Sequence, residues 1–263
     1  MMAKPVALIT GASSGLGSIY ADRLARRGWD LLLAARNHER LATLATRLER
    51  ETGSAVEPAV VDLSDLNGRR QLAQRLSEDS RIEMLVNNAG FGSTAPLKES
   101  DPEIMEQMIE LNVSAVTMLA NAAARAFAQR GRGAIINMAS ITAVAPTILN
   151  GVYGATKAYV LALSQSLHHE LAPFDVKVQV VLPGATATEF WDASGSSVRA
   201  LPASIVMRPE DVVDAALSGF DQGEFVTIPS LPDASEWEAF DAARTALLPN
   251  LSRSEPAERY RRG

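Results

Sequence analysis

The sequence has no cysteine, and this absence excludes several kinds of chemistry. Disulfides, thiolate nucleophiles and cysteine-ligated metals are impossible, and we predict no metal site. Long apolar runs are also missing, since none approaches the ~18 residues that span a bilayer. Residues 1–10 lack the layout of a signal peptide and lead straight into an apolar run. We therefore expect a cytoplasmic protein that does not act in a membrane.

The sequence also has fewer basic than acidic residues, with 25 lysines and arginines against 31 aspartates and glutamates. The formal net charge of −6 gives the chain no general attraction for nucleic acid or for an anionic membrane. A basic cluster near the C-terminus, Arg259, Arg261 and Arg262, is interpreted as a solvated tail. The expected partner is a small molecule, with no nucleic acid and no membrane.

Short apolar runs alternate with helical patterns along most of the 263 residues. Seven runs are predicted strands, at residues 6–10, 31–35, 56–63, 84–87, 134–138, 176–182 and 225–228. Helices are predicted from about Gly15, His38, Asp101, Tyr153 and Pro209, and the third continues to about residue 130. Apolar strands that do not alternate indicate a mostly parallel sheet with helices on both faces. We predict a single domain over residues 1–263, with a weakly patterned tail at about 232–263.

A glycine-rich turn follows the first predicted strand and opens the first helix. It runs from Thr10 to Gly17, and its glycines have the spacing G-x3-G-x-G. Glycines let a backbone approach a pyrophosphate closely, while the N–H groups and dipole of the following helix favour the anion. The turn therefore predicts a phosphate site, although such a pattern is equally typical of a tight turn.

The same residues also fit G-x-S-x-G, the pattern of a serine hydrolase with Ser13 as its nucleophile. Two features weigh against this alternative. The hydrolase turn normally follows several strands, whereas this one follows the first. The histidines that come later, His168 and His169, fall in the middle of a predicted helix, where a triad histidine is not expected.

Tyr153 and Lys157 lie four residues apart at the start of a predicted helix, after Ser140 has ended the fifth strand. The i, i+4 spacing places both side chains on one helical face, where they can share a substrate. Free tyrosine has a pKa of ~10 and is a poor acid–base group at neutral pH. Because a neighbouring ammonium stabilises the phenolate, we expect Lys157 to lower the pKa of Tyr153.

Together these motifs resemble the short-chain dehydrogenase/reductase family over about residues 5–230. The cofactor turn of the family matches Gly11, Ser13, Ser14, Gly15, Leu16 and Gly17. Its other cofactor motifs match Asp62, Leu63, Asn88, Ala89, Gly90, Pro183, Gly184, Thr186 and Thr188. Its four catalytic positions match Asn112, Ser140, Tyr153 and Lys157. The resemblance implies a Rossmann-type doubly wound α/β fold, a dinucleotide-binding and catalytic domain, and a substrate lid at about residues 186–208.

The resemblance also implies a role for each catalytic residue. Tyr153 gives a proton to a carbonyl oxygen as hydride arrives, and Ser140 hydrogen-bonds the same oxygen. Lys157 holds the nicotinamide ribose, and Asn112 holds a water that links Lys157 to solvent. Around the cofactor, the implied contacts are Asp62 at the adenine amino group, Asn88 and Gly90 along the cofactor, and Thr188 at the carboxamide.

The end of the second predicted strand indicates NADP(H) rather than NAD(H). An acidic residue at this point would hydrogen-bond the adenosine ribose and repel a 2′-phosphate. The sequence instead has Arg36 and Asn37 here, and no carboxylate before Glu39. Arg36 can bind a phosphate through two parallel hydrogen bonds, to which Ser13 and Asn37 can add neutral ones. The alternative is a surface arginine that faces Glu39.

The predicted lid carries apolar residues among small and flexible ones. They are Phe190, Trp191, Val198, Leu201, Ile205, Val206 and Met207. This composition favours a substrate with an apolar part, and it is equally typical of packing within the lid. Phe91 and residues 145–149 are further candidates for the pocket wall. We predict a ketone or aldehyde reductase, and the alternative is a non-catalytic NADP-binding regulatory protein of the same fold.

The resemblance further implies a homodimer or homotetramer, in which two long helices pair across a two-fold axis. The candidate contacts are Val113, Val116, Leu119, Ala120, Ala158, Leu161 and Ala162. Some of these residues must pack on the sheet instead.

Overall fold

The structure is a computed structural model that describes residues 4–149, 151–194 and 197–261, without the side chains of Asp192 and Ala193. Arg262 and residues 1–3 lie outside the described residues. The described residues form two compact units, one ending at Pro229 and the other beginning at Ser230. The single domain expected over residues 1–263 stays a prediction.

Parallel strands form the sheet of the first unit. They are β1 (Val6–Thr10), β2 (Asp30–Ala35), β3 (Val56–Val60), β4 (Ile82–Asn87), β5 (Gly133–Met138), β6 (Val176–Val181) and β7 (Val226–Thr227). Their order is β3-β2-β1-β4-β5-β6-β7, and every neighbouring pair is parallel. The predicted doubly wound α/β fold is therefore confirmed, and its sheet is parallel throughout.

Helices cover both faces of this sheet. The helices of the first unit are α1 (Gly15–Arg26), α2 (His38–Thr52), α3 (Leu66–Glu78), α4 (Pro102–Ile109), α5 (Val116–Arg130), α6 (Gly151–Leu171), α7 (Phe190–Ala193) and α8 (Pro209–Gln222), and α9 (Ala234–Thr245) belongs to the second unit. Ala7 and Ile9 pack into one core with α1, while Val6 and Leu8 pack into the other with α5. Among the described residues, no helix has both the length and the apolar character that crossing a bilayer requires.

β3 ends at Val60 rather than at residue 63, because the chain turns at Asp62. The Asp62 carboxylate accepts hydrogen bonds from the backbone N–H and the hydroxyl of Ser64, at 2.9 and 2.6 Å. Asp65 then caps α3 by accepting the Gly68 N–H at 2.9 Å. This helix is not among the predicted ones, since it is mostly polar and contains a glycine, which disfavours helix.

The helix predicted from Asp101 onward is not continuous. Asp101 caps α4, where its carboxylate accepts the Glu103 N–H at 2.9 Å. A π-helical turn over Glu110–Ala115 then separates α4 from α5. Arg69 of α3 supports this π turn, because its guanidinium donates to the Glu110 carbonyl at 3.0 Å and pairs with the Glu110 carboxylate.

The C-terminal tail is more ordered than its weak pattern predicts. α9 begins after Asp233, whose carboxylate accepts the Ser235 N–H at 2.9 Å. Trp237 and Phe240 pack against each other on this helix, with ring centroids 5.4 Å apart. A capping aspartate and one aromatic pair therefore accompany a helix that apolar periodicity does not reveal.

Candidate active site

The carboxyl ends of the parallel strands meet at one edge of the sheet, where the predicted site residues gather. The phosphate turn follows β1, Arg36 follows β2, Asn88 follows β4 and Ser140 follows β5. From β1 the chain continues to β2 and β3 on one side of the sheet, and from β4 it continues to β5 and β6 on the other side. β1 and β4 are neighbours in the sheet. A crevice opens where the order reverses in this way, and open α/β sheets bind their ligands there.

The phosphate turn has the backbone geometry of an anion site. Gly11 has a φ of 66° and Gly15 a φ of 53°, in the left-handed region that favours glycine. At Gly17 a Cβ would lie 2.3 Å from the Gly11 carbonyl oxygen, so the turn excludes any side chain there. In the described part of the chain, the Ser14 side chain does not cap α1. The first N–H groups of this helix can therefore bind an anion, with the half-buried Ser13 beside them.

The residues after β4 hold the phosphate turn in place. The backbone N–H groups of Asn88 and Ala89 each donate to the Thr10 hydroxyl at 3.0 Å. The Asn88 side-chain amide donates to the Thr10 carbonyl at 2.9 Å. Asn88 therefore fixes the turn, and its predicted contact with the cofactor stays a prediction. The Leu63 side chain is buried in the core that contains α5, whereas Leu16 packs against the core that contains α1.

Arg36 and Asn37 lie exposed at the β2 end of the crevice. The Asn37 side-chain oxygen accepts the Arg40 N–H at 2.9 Å and so caps α2. Burial tends to raise the pKa of Asp62, but hydrogen bonds from Ser64 and the charge of Arg36 outweigh it and hold that pKa below its ordinary value. The carboxylate of Asp62 is thus ionised and held in one orientation.

Ser140, Tyr153 and Lys157 meet in one buried cluster beyond the end of β5. The Ser140 side chain hydrogen-bonds Tyr153, and its oxygen also accepts the Thr142 N–H at 3.2 Å. Lys157 Nζ donates to the Met138 carbonyl at 2.9 Å and lies 5.8 Å from the centroid of the Tyr153 ring. The fold therefore brings together three of the four predicted catalytic residues.

Asn112 lies beside this cluster, in the π turn. Its amide donates to the Phe91 carbonyl at 2.8 Å and to the Thr156 hydroxyl at 3.1 Å, and its oxygen accepts the Phe91 N–H at 3.1 Å. Gly90 separates Asn112 from Lys157, since a Cβ on Gly90 would lie 2.9 Å from Asn112 Oδ1 and 3.4 Å from Lys157 Nζ. π turns are frequent at functional sites. The implied role of Asn112 in holding a water stays a prediction.

Burial controls the protonation of both groups on α6. It raises the pKa of Tyr153 to about 12, although the hydrogen bond from Ser140 acts in the opposite direction. It lowers the pKa of Lys157 from 10.5 to about 8. The pKa of Tyr153 therefore lies above its ordinary value in the protein chain on its own, because desolvation of the phenol dominates. That Lys157 lowers this pKa stays a prediction.

The segment after β6 begins at the catalytic cluster and returns to the phosphate turn. The Pro183 carbonyl accepts a backbone N–H from the turn after β5 at 3.0 Å, and the Gly184 carbonyl accepts the Thr186 hydroxyl at 3.0 Å. The Thr188 side chain lies 3.7 Å from the position that a Cβ on Gly15 would take. The residues predicted to meet the nicotinamide thus lie beside those predicted to meet the phosphates.

The predicted lid contains both packing residues and pocket residues. Trp191 is only 7% exposed, and its indole N–H donates to the Thr186 carbonyl at 2.8 Å. Phe190 instead contacts Tyr153, with ring centroids 5.6 Å apart and planes inclined by 50°. Trp191 therefore stabilises the predicted lid from within, whereas Phe190 packs against the ring of Tyr153.

An apolar cluster packs around the Tyr153 ring. Its other members are Phe91, Met105, Met108, Leu149, Val152 and Phe190. At Gly92 a Cβ would lie 2.5 Å from Phe190 Cζ and 3.1 Å from Tyr153 Cδ2, so this glycine lets the two rings approach. The sequence indicates Phe91, Leu149 and Phe190. It does not single out the methionines or Gly92, because methionines three residues apart are also typical of ordinary helix packing.

Comparison with known protein families identifies the family to which this chain belongs. The sequence model of a family described as short chain dehydrogenase matches residues 5–198. The chain belongs to the short-chain dehydrogenase family. An uncharacterized oxidoreductase of Staphylococcus saprophyticus is 32% identical over 224 residues, which is 85% of this chain and 94% of that protein.

Two solved structures resemble this short-chain dehydrogenase over nearly its whole length. The short-chain dehydrogenase from Sphingobium yanoikuyae in complex with NADPH is 48% identical, with a TM-score of 0.95 over 98% of this chain and 100% of that one. The bulky-bulky ketone specific alcohol dehydrogenase from Comamonas testosteroni is 42% identical, with a TM-score of 0.90 over 97% of this chain and 98% of that one. Both matches include most of the C-terminal tail, which the resemblance in sequence does not cover.

The hydrolase alternative does not fit this short-chain dehydrogenase. Ser13 lies in the phosphate turn, whereas His168 lies about 22 Å further along α6 than Tyr153, at 1.5 Å per residue. His168 stacks on Phe225, with ring centroids 4.3 Å apart. Among the described residues, no hydrogen bond joins Ser13 to a histidine that could act as its base.

Proposed function

We propose that this protein transfers hydride between NADP(H) and a carbonyl or secondary alcohol, and that it reduces ketones with bulky apolar substituents. The observation that carries the proposal is the apolar cluster packed directly against the ring of Tyr153. The comparisons support it, because one similar structure holds NADPH and another is of an alcohol dehydrogenase specific for bulky-bulky ketones.

The donor and acceptor groups of the crevice suit a dinucleotide. The start of α1 suits the pyrophosphate, since the Ser14 side chain leaves its first N–H groups uncapped. Arg36 suits a 2′-phosphate, and the ionised Asp62 suits the adenine amino group. When bound, the nicotinamide supplies the hydride for reduction or accepts it for oxidation.

Tyr153 is the residue that we assign to proton transfer. A pKa of about 12 keeps its phenol protonated at neutral pH, so the hydroxyl can give a proton to the oxygen of a bound ketone. Ser140 is placed to hydrogen-bond the same oxygen and stabilise its developing charge. With a pKa of about 8, Lys157 is mostly an ammonium at neutral pH, and this charge stabilises the phenolate that proton transfer leaves.

The apolar cluster around Tyr153 favours apolar substituents over polar ones. Met105 and Met108 are buried, unbranched and flexible, so they can adapt to substituents of different shape. Phe190 adds an aromatic surface opposite Tyr153. Each CH₂ group moved from water into such a pocket contributes about 0.8 kcal/mol. A ketone with two bulky apolar groups should therefore be used far better than a small one.

A ketone panel assayed by the loss of NADPH absorbance tests this proposal. We expect kcat/KM to rise at least about tenfold from acetone to a ketone with bulky groups on both sides of the carbonyl. Preference for a sugar or a charged keto acid would contradict the proposed substrate class. Tight NADPH binding without reduction of any carbonyl would instead support the regulatory alternative.

We also propose that the protein forms a homodimer or homotetramer. Of the helix residues predicted as contacts, Val116, Leu119, Ala120 and Leu161 are wrong, because they are buried within the chain. Tyr159 and Ala162 are exposed on α6, and the Tyr159 hydroxyl shares a 2.8 Å hydrogen bond with that of Thr117 in α5. The exposed surface that α5 and α6 share is the better candidate. Light scattering at micromolar concentration should give at least the mass of a dimer, and a monomer would contradict this.

A further inference from the structure

An ion pair joins two parts of the first unit that lie on opposite sides of the crevice. Arg40 Nη1 donates to Glu189 Oε2 at 2.7 Å, although the two residues are 149 positions apart in the chain. Arg40 belongs to the first turn of α2, which follows β2, and Glu189 belongs to the segment after β6. In the sheet, β2 and β6 lie on opposite sides of the β1–β4 pair at which the crevice opens.

The segment that carries Glu189 passes beside the phosphate turn before it reaches Arg40. Residues 186–191, here called the crossing segment, include Thr188, whose side chain lies 3.7 Å from where a Cβ on Gly15 would be. Glu189 is the next residue and extends to α2. The ion pair thus completes a connection that runs from β6, past the start of α1, to the opposite half of the sheet.

Both ends of this connection are fixed by other hydrogen bonds. The Arg40 N–H donates to the Asn37 side chain at 2.9 Å, which anchors the first turn of α2. The Trp191 indole donates to the Thr186 carbonyl at 2.8 Å, and the Ala187 N–H donates to the Met207 carbonyl at 3.0 Å. The crossing segment is therefore one hydrogen-bonded piece, and Glu189 connects it to α2.

We propose that Arg40 and Glu189 are cofactor-retaining residues, whose ion pair holds the crossing segment over the dinucleotide and slows its release. This inference rests on the proposed function, since it requires a dinucleotide in the crevice. A ligand that lies between the phosphate turn and the crossing segment cannot leave until the two halves separate. Neither residue touches the reacting atoms, so both act by positioning the segment that contains Thr188.

The expected effect is modest, because both side chains are exposed, at 50% for Arg40 and 61% for Glu189. Exposed ion pairs contribute little, and their usual range corresponds to about 1.5- to 5-fold in a rate or an equilibrium constant. Glu189→Gln should therefore raise the dissociation rate of NADPH, and equally that of NADH, by about 1.5- to 5-fold. Salt should raise the rate of the unmodified protein toward that of the variant, since exposed charges are screened.

The rate can be measured by stopped flow, with protein loaded with NADPH or NADH mixed against excess NADP⁺ and the reduced-cofactor fluorescence followed. Glu57→Gln is the matched control, because Glu57 forms a similarly exposed pair with Arg75 at 2.8 Å, between β3 and α3. Arg40→Gln should release NADH as fast as Glu189→Gln does. The double variant should release NADH no faster than either single variant. The charge swap of Arg40→Glu with Glu189→Arg should restore slow NADH release.

A direct contact between Arg40 and the 2′-phosphate of NADPH predicts the opposite change in the rate of NADPH release. If Arg40 bound the 2′-phosphate directly, Glu189→Gln would free it, so NADPH would dissociate more slowly and NADH would be unaffected. That result, or unchanged release of both cofactors, would overturn the proposal while leaving the proposed function intact. Failure of the unmodified protein to bind either cofactor would overturn both.

Discussion

Replacing Gly92 with alanine should disturb the active site without unfolding the protein. A Cβ at this position would lie 2.5 Å from Phe190 Cζ and 3.1 Å from Tyr153 Cδ2, where ordinary contacts begin at 3.4 Å. The Phe190 ring must therefore withdraw by about 0.9 Å, and the Tyr153 ring by a few tenths of an ångström, as overpacked side chains do. Tyr153 is the less free of the two, because it is buried in the middle of a hydrogen-bonded cluster.

The cost of this overpacking sets the size of the effect. Inserting a methyl group into a well-packed region costs about 1–3 kcal/mol, and Phe190 can absorb part of it by moving. At 1.36 kcal/mol per tenfold, a residual cost of about 1–2 kcal/mol in the transition state lowers kcat/KM about 5- to 30-fold. Bulky ketones should lose more than acetone, since the displaced Phe190 ring narrows the space for large substituents.

Steady-state kinetics with a small and a bulky ketone, together with a thermal melt, test the expectation. Gly151→Ala is the matched control, because a Cβ there meets nothing within 4 Å and the residue lies in the same helix as Tyr153, two positions before it. We expect this control to keep full activity. Unchanged kinetics for Gly92→Ala would show that Gly92 does not set the distance between the two rings, and the reasoning would fail.

Three further variants test separate parts of the site. Arg36→Ala should reduce the preference for NADPH over NADH roughly tenfold to a hundredfold, because charge-assisted phosphate contacts contribute ~1.5–3 kcal/mol; an unchanged ratio of kcat/KM values would exclude Arg36 as the phosphate contact. The folded-state pKa of Lys157, about 8, lies below its ordinary 10.5, so the unfolded chain binds more protons between these values and the free energy of unfolding should rise with pH across them. Lys157→Met should remove that rise in denaturant titrations, and an identical pH dependence of both proteins would contradict the shift. Ser13→Ala should keep substantial reductase activity, whereas an esterase activity lost with this change would restore the hydrolase alternative.

The outline of the fold follows from its apolar runs. β1 is apolar from Val6 to Ile9 and β2 from Leu31 to Ala35, and such continuous apolar runs predict the parallel sheet that the structure has. α3 escapes prediction because its stability comes from the Asp65 cap and from the few leucines that reach the core, rather than from a strong apolar period. The early end of β3 likewise depends on side-chain hydrogen bonds at Asp62, which no periodicity reveals.

The candidate site likewise has residues that the sequence predicts and residues that it does not. Ser140, Tyr153 and Lys157 are predicted because residue type and spacing carry their chemistry, and the fold brings them together. Met105 and Met108 escape prediction because they reach the pocket only through the packing of α4 on α6. The raised pKa of Tyr153 is not predicted from the sequence either. Residue spacing shows the nearby ammonium, but it does not show the burial that dominates this pKa.

The central claim is that Tyr153 transfers the proton while the rest of the crevice binds the cofactor. Tyr153→Phe should therefore lower kcat for ketone reduction by at least about 100-fold, the lower end of what general acids contribute. Tyr159→Phe is the control, because this tyrosine lies on the same helix and its hydroxyl faces Thr117 instead of Ser140.

The decisive measurement is kcat and the NADPH dissociation constant for both variants, made on the same preparations. The account predicts lost turnover in Tyr153→Phe, full turnover in Tyr159→Phe, and NADPH binding within about threefold of the unmodified protein in both, since an undisturbed site changes its binding by less than 1 kcal/mol. Turnover that survives in Tyr153→Phe while NADPH still binds would contradict the account.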